Sequence, residues 1–250
     1  MKGAEENPVM KTGLLLIRNP SPQFWLLRVR KEFHPFLQTA FNPLLFEKEP
    51  LFTTLSAQLF FVAGKKSAGP DILVKRIQAQ KAADYVRRLI FCQGRREFFS
   101  SIALLQMGLK CPTPLGYAIN LIPFSRYDSL LISEFLPDTV PVSQHIAAMS
   151  PSERLFCQKR VADDISLMLS HNVFHKDLQL NNILLKSSDG SQLYWIDNDL
   201  KNINKTRMQK NPNNFLAEIT RNIQFCSEEE KYLFLKAVSS GLKKHGDENE

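Results

Sequence analysis

At 250 residues with 44% hydrophobic content, the chain is long enough to bury a sizeable core, as one two-lobed domain or two small ones. Its net charge of +7 favours an anionic partner: nucleic acid, an acidic membrane surface and a phosphorylated sugar all qualify. No apolar run reaches the length of a membrane span, and the opening MKGAEENPVM has acidic residues and no hydrophobic run, which leads us to expect no secretory signal and a cytosolic protein.

Residues 1–50 mix apolar runs (Leu14 to Ile17, Phe24 to Leu27) with Pro20, Pro22, Pro35 and Pro43, and are the least readable part of the chain. Strand signals dominate from Leu51 to Ile77: Gln58 to Val62, a turn over Gly64 to Pro70, then Asp71 to Ile77 form an expected hairpin. Lys75 closes the apolar string Ile72-Leu73-Val74, where a solvated strand-end lysine is the ordinary explanation. Phe98, Ile102 and Leu105 recur at helical spacing with Gly108 as the stop, and Glu97 lies just off that stripe, as an exposed first-turn acid would. Leu109 to Tyr117 reads as a turn into a strand, and Leu130 to Leu136 as a strand ending in a linker at Pro137. Ser150-Pro151-Ser152-Glu153 starts a helix as a capping box, with Leu155, Ala162, Ile165 and Leu169 facing a core. Ser227 to Glu230 repeats the signal before a last helix lined by Tyr232, Leu235 and Leu242. The cysteines, Cys92, Cys111, Cys157 and Cys226, lack a C-x-x-C pair and read as free buried thiols.

The most informative stretch is His171 to Leu200. Asp177 follows His175 by two residues, Asn182 follows Asp177 by five, and Asp197 ends the apolar run Leu193 to Ile196. Asn182 to Lys186 and Gln192 to Ile196 flank the turn Ser187 to Ser191, so a hairpin would return Asn182 and Asp197 to the same end. Taken singly, Asp177 and Asn182 are residue types common in turns and caps.

Together this spacing resembles the protein-kinase-like catalytic loop, H-x-D-x-x-x-x-N followed by a hairpin and a second Asp. The resemblance implies an α+β, two-lobed kinase-like fold: a β-rich N-terminal lobe with one helix over about 1–135, and a mainly helical C-terminal lobe with the hairpin over about 136–250. It implies Asp177 as catalytic base, Asn182 and Asp197 as Mg²⁺ ligands, and Lys75 on the ATP phosphates, paired with Glu97. Backbone groups of Glu134, Phe135 and Leu136 would meet the adenine, and His175 would be scaffold. Two departures stand out. Asp197 is followed by Asn198-Asp199 rather than Phe-Gly, and no glycine occurs between Gly13 and Gly64, where a phosphate-binding loop is expected; hydroxyls of Thr53, Thr54 and Ser56 are the substitutes at hand.

Within that superfamily the chain most resembles the lipopolysaccharide kinases of the Kdo and inner-core heptose type, over roughly Leu73 to Leu242. The matching segments are V-K-R at Val74 to Arg76, R-E-F at Arg96 to Phe98, G-L-K-C-P-T-P-L-G at Gly108 to Gly116, H-K-D-L-Q-L-N-N-I-L-L at His175 to Leu185, and W-I-D-N-D-L at Trp195 to Leu200. About fifty residues follow Asp199, too few for a protein kinase's lower lobe, which favours a small-molecule or glycolipid acceptor. The resemblance implies an ATP- and Mg²⁺-dependent kinase for a Kdo or heptose hydroxyl of the lipopolysaccharide core, working at the cytoplasmic face of the inner membrane on anionic lipid, with no nucleic-acid partner. The alternatives are a small-molecule kinase of the aminoglycoside or choline type and a catalytically idle kinase-like binding protein. The cations Lys201, Lys205, Arg207 and Lys210 favour an anionic acceptor over a cationic one.

Overall fold

The computed structural model describes residues 12–18, 24–33, 48–64, 69–79, 91–122, 125–186, 192–203, 216–217, 221, 223 and 227–247, with backbone only for 12–18, 24 and 241–247. The chain divides into two compact units, Met1–Phe98 with Thr113–Phe135, and Phe99–Pro112 with Leu136–Glu250. The architecture is mixed α and β.

The first unit is built on a seven-stranded antiparallel sheet. Its strands are β1 (Thr12–Arg18), β2 (Phe24–Arg30), β3 (Phe52–Thr53), β4 (Ala57–Val62), β5 (Ile72–Gln78), β6 (Pro114–Asn120) and β7 (Tyr127–Glu134). They lie in the order β1-β2-β6-β7-β5-β4-β3. The expected hairpin is β4 and β5, with Phe60 opposite Val74 and Leu59 opposite Lys75. The poorly legible N-terminus supplies β1 and β2, whose apolar runs pair Leu15 with Leu27 and extend the sheet past β6. In β2, Trp25, Leu27 and Val29 are buried while Leu26, Arg28 and Arg30 are half-buried, the period-two alternation of a strand with one face on a core. That core also holds Phe60, Ile72, Val74, Leu115, Leu130 and Ile132.

Helix α1 (Gln93–Gln106) begins in this unit. Gly94 lets its first turn press on β7: a Cβ there would sit 2.5 Å from the Leu130 carbonyl oxygen, and the Gly94 amide donates to Ser129 Oγ at 3.1 Å. The helix stops at Gly108, in the left-handed region at φ 85°, as expected of a C-terminal glycine. Its buried stripe differs from the sequence expectation. Phe98 and Ile102 are buried, but Leu104 takes the place of Leu105, which is 37% exposed. Leu104, Leu109 and Cys111 join the second unit's core, which is why Phe99–Pro112 groups there.

In the second unit, β8 (Thr139–Pro141) and a single-turn helix α2 (Val142–His145) lead to α3 (Pro151–Ser170). Ser150 and Glu153 form the expected capping box. Glu153 is drawn below the usual carboxylate range, first by the Ser150 hydroxyl. Then come β9 (Val173–His175), β10 (Ile183–Lys186), β11 (Leu193–Trp195), β12 (Leu200–Asn202) and α4 (Glu228–Asp247). Helix α3 buries Cys157, Val161, Ala162, Ile165, Met168 and Leu169, whereas Leu155 is 45% exposed. On α4 the buried residues are Phe234 and Val238 rather than Tyr232; the Leu242 side chain lies outside the described residues. The stripes that turn inward share one core, Cys157, Val161, Ile165 and Met168 of α3 with Phe234 and Val238 of α4, and beside it Arg154 and Gln158 of α3 pair with Glu230 of α4. Burial pushes the Cys157 thiol up to about 11, and Cys92 and Cys111 likewise to about 11 and about 12; all three are free, and Cys226 lies outside the described residues.

Candidate functional site

In the first unit, Lys75 projects from β5 and its Nζ lies 2.9 Å from both carboxylate oxygens of Glu97 on α1. Glu97 is 1% exposed and also accepts from Gln93 Nε2 at 2.8 Å. The bland expectation of a solvated lysine and an exposed acid therefore fails for both residues. The β3–β4 turn is closed by Thr54, whose Oγ1 accepts from the amides of Ser56 at 3.2 Å and Ala57 at 2.9 Å. Thr54 thus supplies a hydroxyl to its own loop, in the manner of a Ser/Thr turn. At the end of β7 the amide of Glu134 donates to Thr113 O at 2.9 Å and that of Phe135 to Asp71 O at 2.8 Å. The Phe135 ring meets Phe61 edge-on at 4.9 Å. Leu136, the first residue of the second unit's long segment, has a carbonyl that accepts from Thr139 Oγ1 at 3.1 Å and an amide with no hydrogen bond among the described residues.

In the second unit the hairpin pairs Ile183 with Trp195 and Leu184 with Tyr194. That register sets Asn182 against Ile196, whose amide donates to Asn182 O at 3.0 Å, so Asn182 and Asp197 sit at the same open end as the spacing requires. Asn182 Nδ2 donates to the Asp177 carbonyl at 2.8 Å and to Asp177 Oδ2 at 3.1 Å. Gln179 Nε2 donates to the same Oδ2 at 2.9 Å. The Asp177 carboxylate is thus held by one oxygen, with no hydrogen bond to its partner Oδ1 among the described residues. Because the Asn182 amide nitrogen is spent on Asp177, its amide oxygen is the atom left to a cation.

The remaining contacts stabilise this loop. Leu200 of β12 pairs with His175 of β9, and Lys176 Nζ lies 3.0 and 2.9 Å from the two oxygens of Asp199. His175 is 1% exposed with its ring 5.6 Å from that of Trp195, and burial holds its pKa below the usual value. Asp197 has φ 53°, in the left-handed region that non-glycine residues enter uncommonly, aspartate and asparagine more readily than most, and where contacts around it help to hold it. The next residue supplies part of that constraint: Asn198 is 3% exposed and its Nδ2 donates to Ser101 Oγ at 3.0 Å and to the Trp195 carbonyl at 3.1 Å. Ser100 Oγ receives the Leu200 amide at 3.0 Å. Sequence reasoning missed Gln179, Ser100, Ser101 and the part played by Asn198; a side-chain amide two residues after the loop aspartate was the signal available for Gln179.

Among the described residues no three His, Cys, Asp or Glu side chains gather as a metal cluster. The donor set at the hairpin end is instead one carboxylate and one amide oxygen, hard ligands that suit Mg²⁺ when phosphate oxygens and water complete the shell. No described helix is long and apolar enough to cross a membrane.

Comparison with known proteins agrees with the sequence resemblance. The chain is 28% identical over 135 residues to a 3-deoxy-D-manno-octulosonic acid kinase of Mannheimia succiniciproducens, covering 50% of this chain and 55% of that one. It is 27% identical over 159 residues to the enzyme of the same name from Pasteurella multocida, covering 58% and 64%. These matches span less than two thirds of either relative's length. Among solved structures, WaaP in complex with acyl carrier protein matches with a TM-score of 0.54 at 17% identity over 83% of this chain and 87% of that one, which establishes a shared fold. The model of the lipopolysaccharide kinase (Kdo/WaaP) family matches residues 56–237, most of the sequence, and the chain belongs to that family.

Proposed function

We propose that this protein is an ATP- and Mg²⁺-dependent kinase that phosphorylates a sugar hydroxyl, of Kdo or heptose, in the lipopolysaccharide inner core. The observation that carries this reading is the Asp177 carboxylate, held by Asn182 and Gln179 through one oxygen and open at the other. Mg²⁺-ATP would supply the transferable phosphoryl group and neutralise its charge. Asp177 Oδ1 orients the acceptor hydroxyl and takes its proton; the Asn182 amide oxygen and Asp197 hold the cation; Lys75, aimed by Glu97, meets phosphate oxygens. The two compact units correspond, in this reading, to the lobes of a protein-kinase-like fold, with Glu134, Phe135 and Leu136 as the adenine-binding stretch. Of these three the Leu136 amide has its donor to spare.

Membership of the family and the name shared by both relatives support a saccharide acceptor over an aminoglycoside or choline-like one. Of the two arguments for the idle-binder alternative, the missing glycines between Gly13 and Gly64 stand, while Asn198 is accounted for by its bonds to Ser101 and Trp195 beside Asp197. The net charge of +7 supports work beside anionic lipid at the inner face of the membrane. Of the cations after Asp199, Lys201 is exposed, while Lys205, Arg207 and Lys210 lie outside the described residues. The deciding experiment is mass spectrometry of core glycolipid from cells with and without the gene. One phosphate on a Kdo or heptose that disappears with the gene is expected, and an unchanged glycolipid would overturn the assignment.

A further inference from the structure

Asp164 lies in the middle of α3, 31 residues before Trp195, and no periodicity marks it. Its Oδ2 accepts the indole N–H of Trp195 at 2.8 Å, and Trp195 is fully buried. From Trp195 a continuous polar path leads on. The Trp195 amide donates to the Lys110 carbonyl at 2.9 Å, and the Trp195 carbonyl receives Asn198 Nδ2, which also donates to Ser101 Oγ. Asp197, with its left-handed backbone, stands between the two residues so fixed.

We propose that Asp164 is a positioning residue for Asp197: its carboxylate anchors Trp195, Trp195 anchors Asn198, and the pair holds the intervening aspartate in its strained backbone conformation. The inference rests on the reading of Asp197 as a metal ligand. A carboxylate is a costly choice for this place. Burial pushes Asp164 up to about 6, and an asparagine would accept the same indole hydrogen without burying charge. What the charge adds is a stronger, more directional hold on the indole. Such a hold is useful where the strand end must not relax, since left-handed strain persists only when the surroundings over-determine it. Arg160 and Asp163 are the charged neighbours on the same helix, and neither replaces the contact with Trp195.

The test compares Asp164→Leu, Asp164→Asn and Trp195→Phe with the wild type in two measurements. The first is the metal-dependent gain in nucleotide affinity, the Kd for ATP in EDTA divided by that in Mg²⁺. Asp164→Leu and Trp195→Phe should each lose about tenfold of this ratio, the equivalent of one hydrogen bond of ~1.4 kcal/mol. ATP affinity in EDTA should stay within about twofold, and Asp164→Asn, which keeps the acceptor but not the charge, should recover only part of the ratio. The second measurement is amide hydrogen exchange without ligand, where exchange at Ile196 to Asn198 should quicken about tenfold while α4 keeps its protection. A wild-type ratio of one would sink the metal assignment of Asp197 and this inference with it. A normal wild-type ratio that survives in Asp164→Leu, with exchange quickened evenly over α3, α4 and the hairpin, would leave Asp164 a general stability residue and overturn the inference alone.

Discussion

Both carboxylate oxygens of Glu97 lie 2.9 Å from Lys75 Nζ, and the two side chains are 2% and 14% exposed. A pair this buried is not an ordinary surface ion pair. Removing one partner leaves an uncompensated charge, at a cost of about 3–5 kcal/mol, while removing both costs much less. Lys75→Met and Glu97→Gln should therefore each lower the melting temperature, and the double variant should be more stable than Lys75→Met alone. Catalytic efficiency should be as non-additive as stability, because Glu97 acts only through the ammonium it aims. Additive losses in the double-mutant cycle would mean that the ion pair does not serve turnover.

Asp177 and Asp197 are both exposed carboxylates, so replacing either with Asn should leave the fold intact. Their roles should separate by binding. Asp197→Asn loses Mg²⁺-ATP affinity and phosphoryl transfer together, whereas Asp177→Asn keeps the nucleotide and loses the transfer step. Near wild-type turnover of Asp177→Asn on a core glycolipid would falsify its assignment as base.

What could be read from the sequence, and what could not, follows from the range of each interaction. The Asn182–Asp197 hairpin was legible because two short strands and a turn are local, and their register follows from their lengths. The Lys75–Glu97 pair was legible only through the order of segments in a known family, since nothing near either residue marks it as buried. Strands β1 and β2 were obscured by the prolines around them, although Leu14 to Ile17 and Phe24 to Leu27 were already visible as apolar runs. The stripes of α3 and α4 were misjudged at Leu155 and Tyr232 because the core that the two helices share, with Val161 and Ile165 of one and Phe234 and Val238 of the other, is a tertiary fact that neither helix's own pattern shows. Asn198 looked like a defect beside the usual Phe-Gly; its long-range bond to Ser101 gives it a role that no local pattern shows.

Stability against pH should carry two opposed contributions near the loop. His175 has a folded pKa below its ordinary value, so its contribution is fully present above about 6.5 and is lost as pH falls from there towards the folded value. Asp164 has a folded pKa raised to about 6, so its contribution grows as pH falls through 6 and fades as pH rises through it. Melting temperature measured between pH 7.5 and about 4.5 should accordingly fall less steeply for His175→Phe than for the wild type, and more steeply for Asp164→Asn. Parallel curves for all three proteins would remove both groups from the pH response.

The cations that follow Asp199 in the sequence should matter only for the acceptor. Reversing Lys205 and Arg207 to Glu should weaken turnover on anionic glycolipid, each cation near a charged surface being worth on the order of 1 kcal/mol, and raised salt should mimic the effect in the wild type. ATP hydrolysis without acceptor should stay unchanged. Indifference to both charge reversal and salt would favour an uncharged, soluble acceptor.

Gln179 offers the most local test of the catalytic loop. It occupies the second position after Asp177, and its amide and that of Asn182 converge on Oδ2 of the aspartate at 2.9 and 3.1 Å. Two donors on one oxygen fix the rotation of the carboxylate and, in the proposed function, leave Oδ1 for the acceptor hydroxyl. With only the Asn182 amide remaining, the carboxylate can rotate and spend part of its time with the wrong oxygen presented. Gln179→Leu should then lower kcat about tenfold, the effect of one hydrogen bond to a charged group at ~1.5 kcal/mol, with the KM for ATP unchanged. Gln179→Glu should do worse, because a second carboxylate repels Asp177 where the amide donated to it. Steady-state kinetics of the two variants on a core glycolipid decides the matter: a kcat for Gln179→Leu within twofold of the wild type would show that Asn182 orients Asp177 unaided.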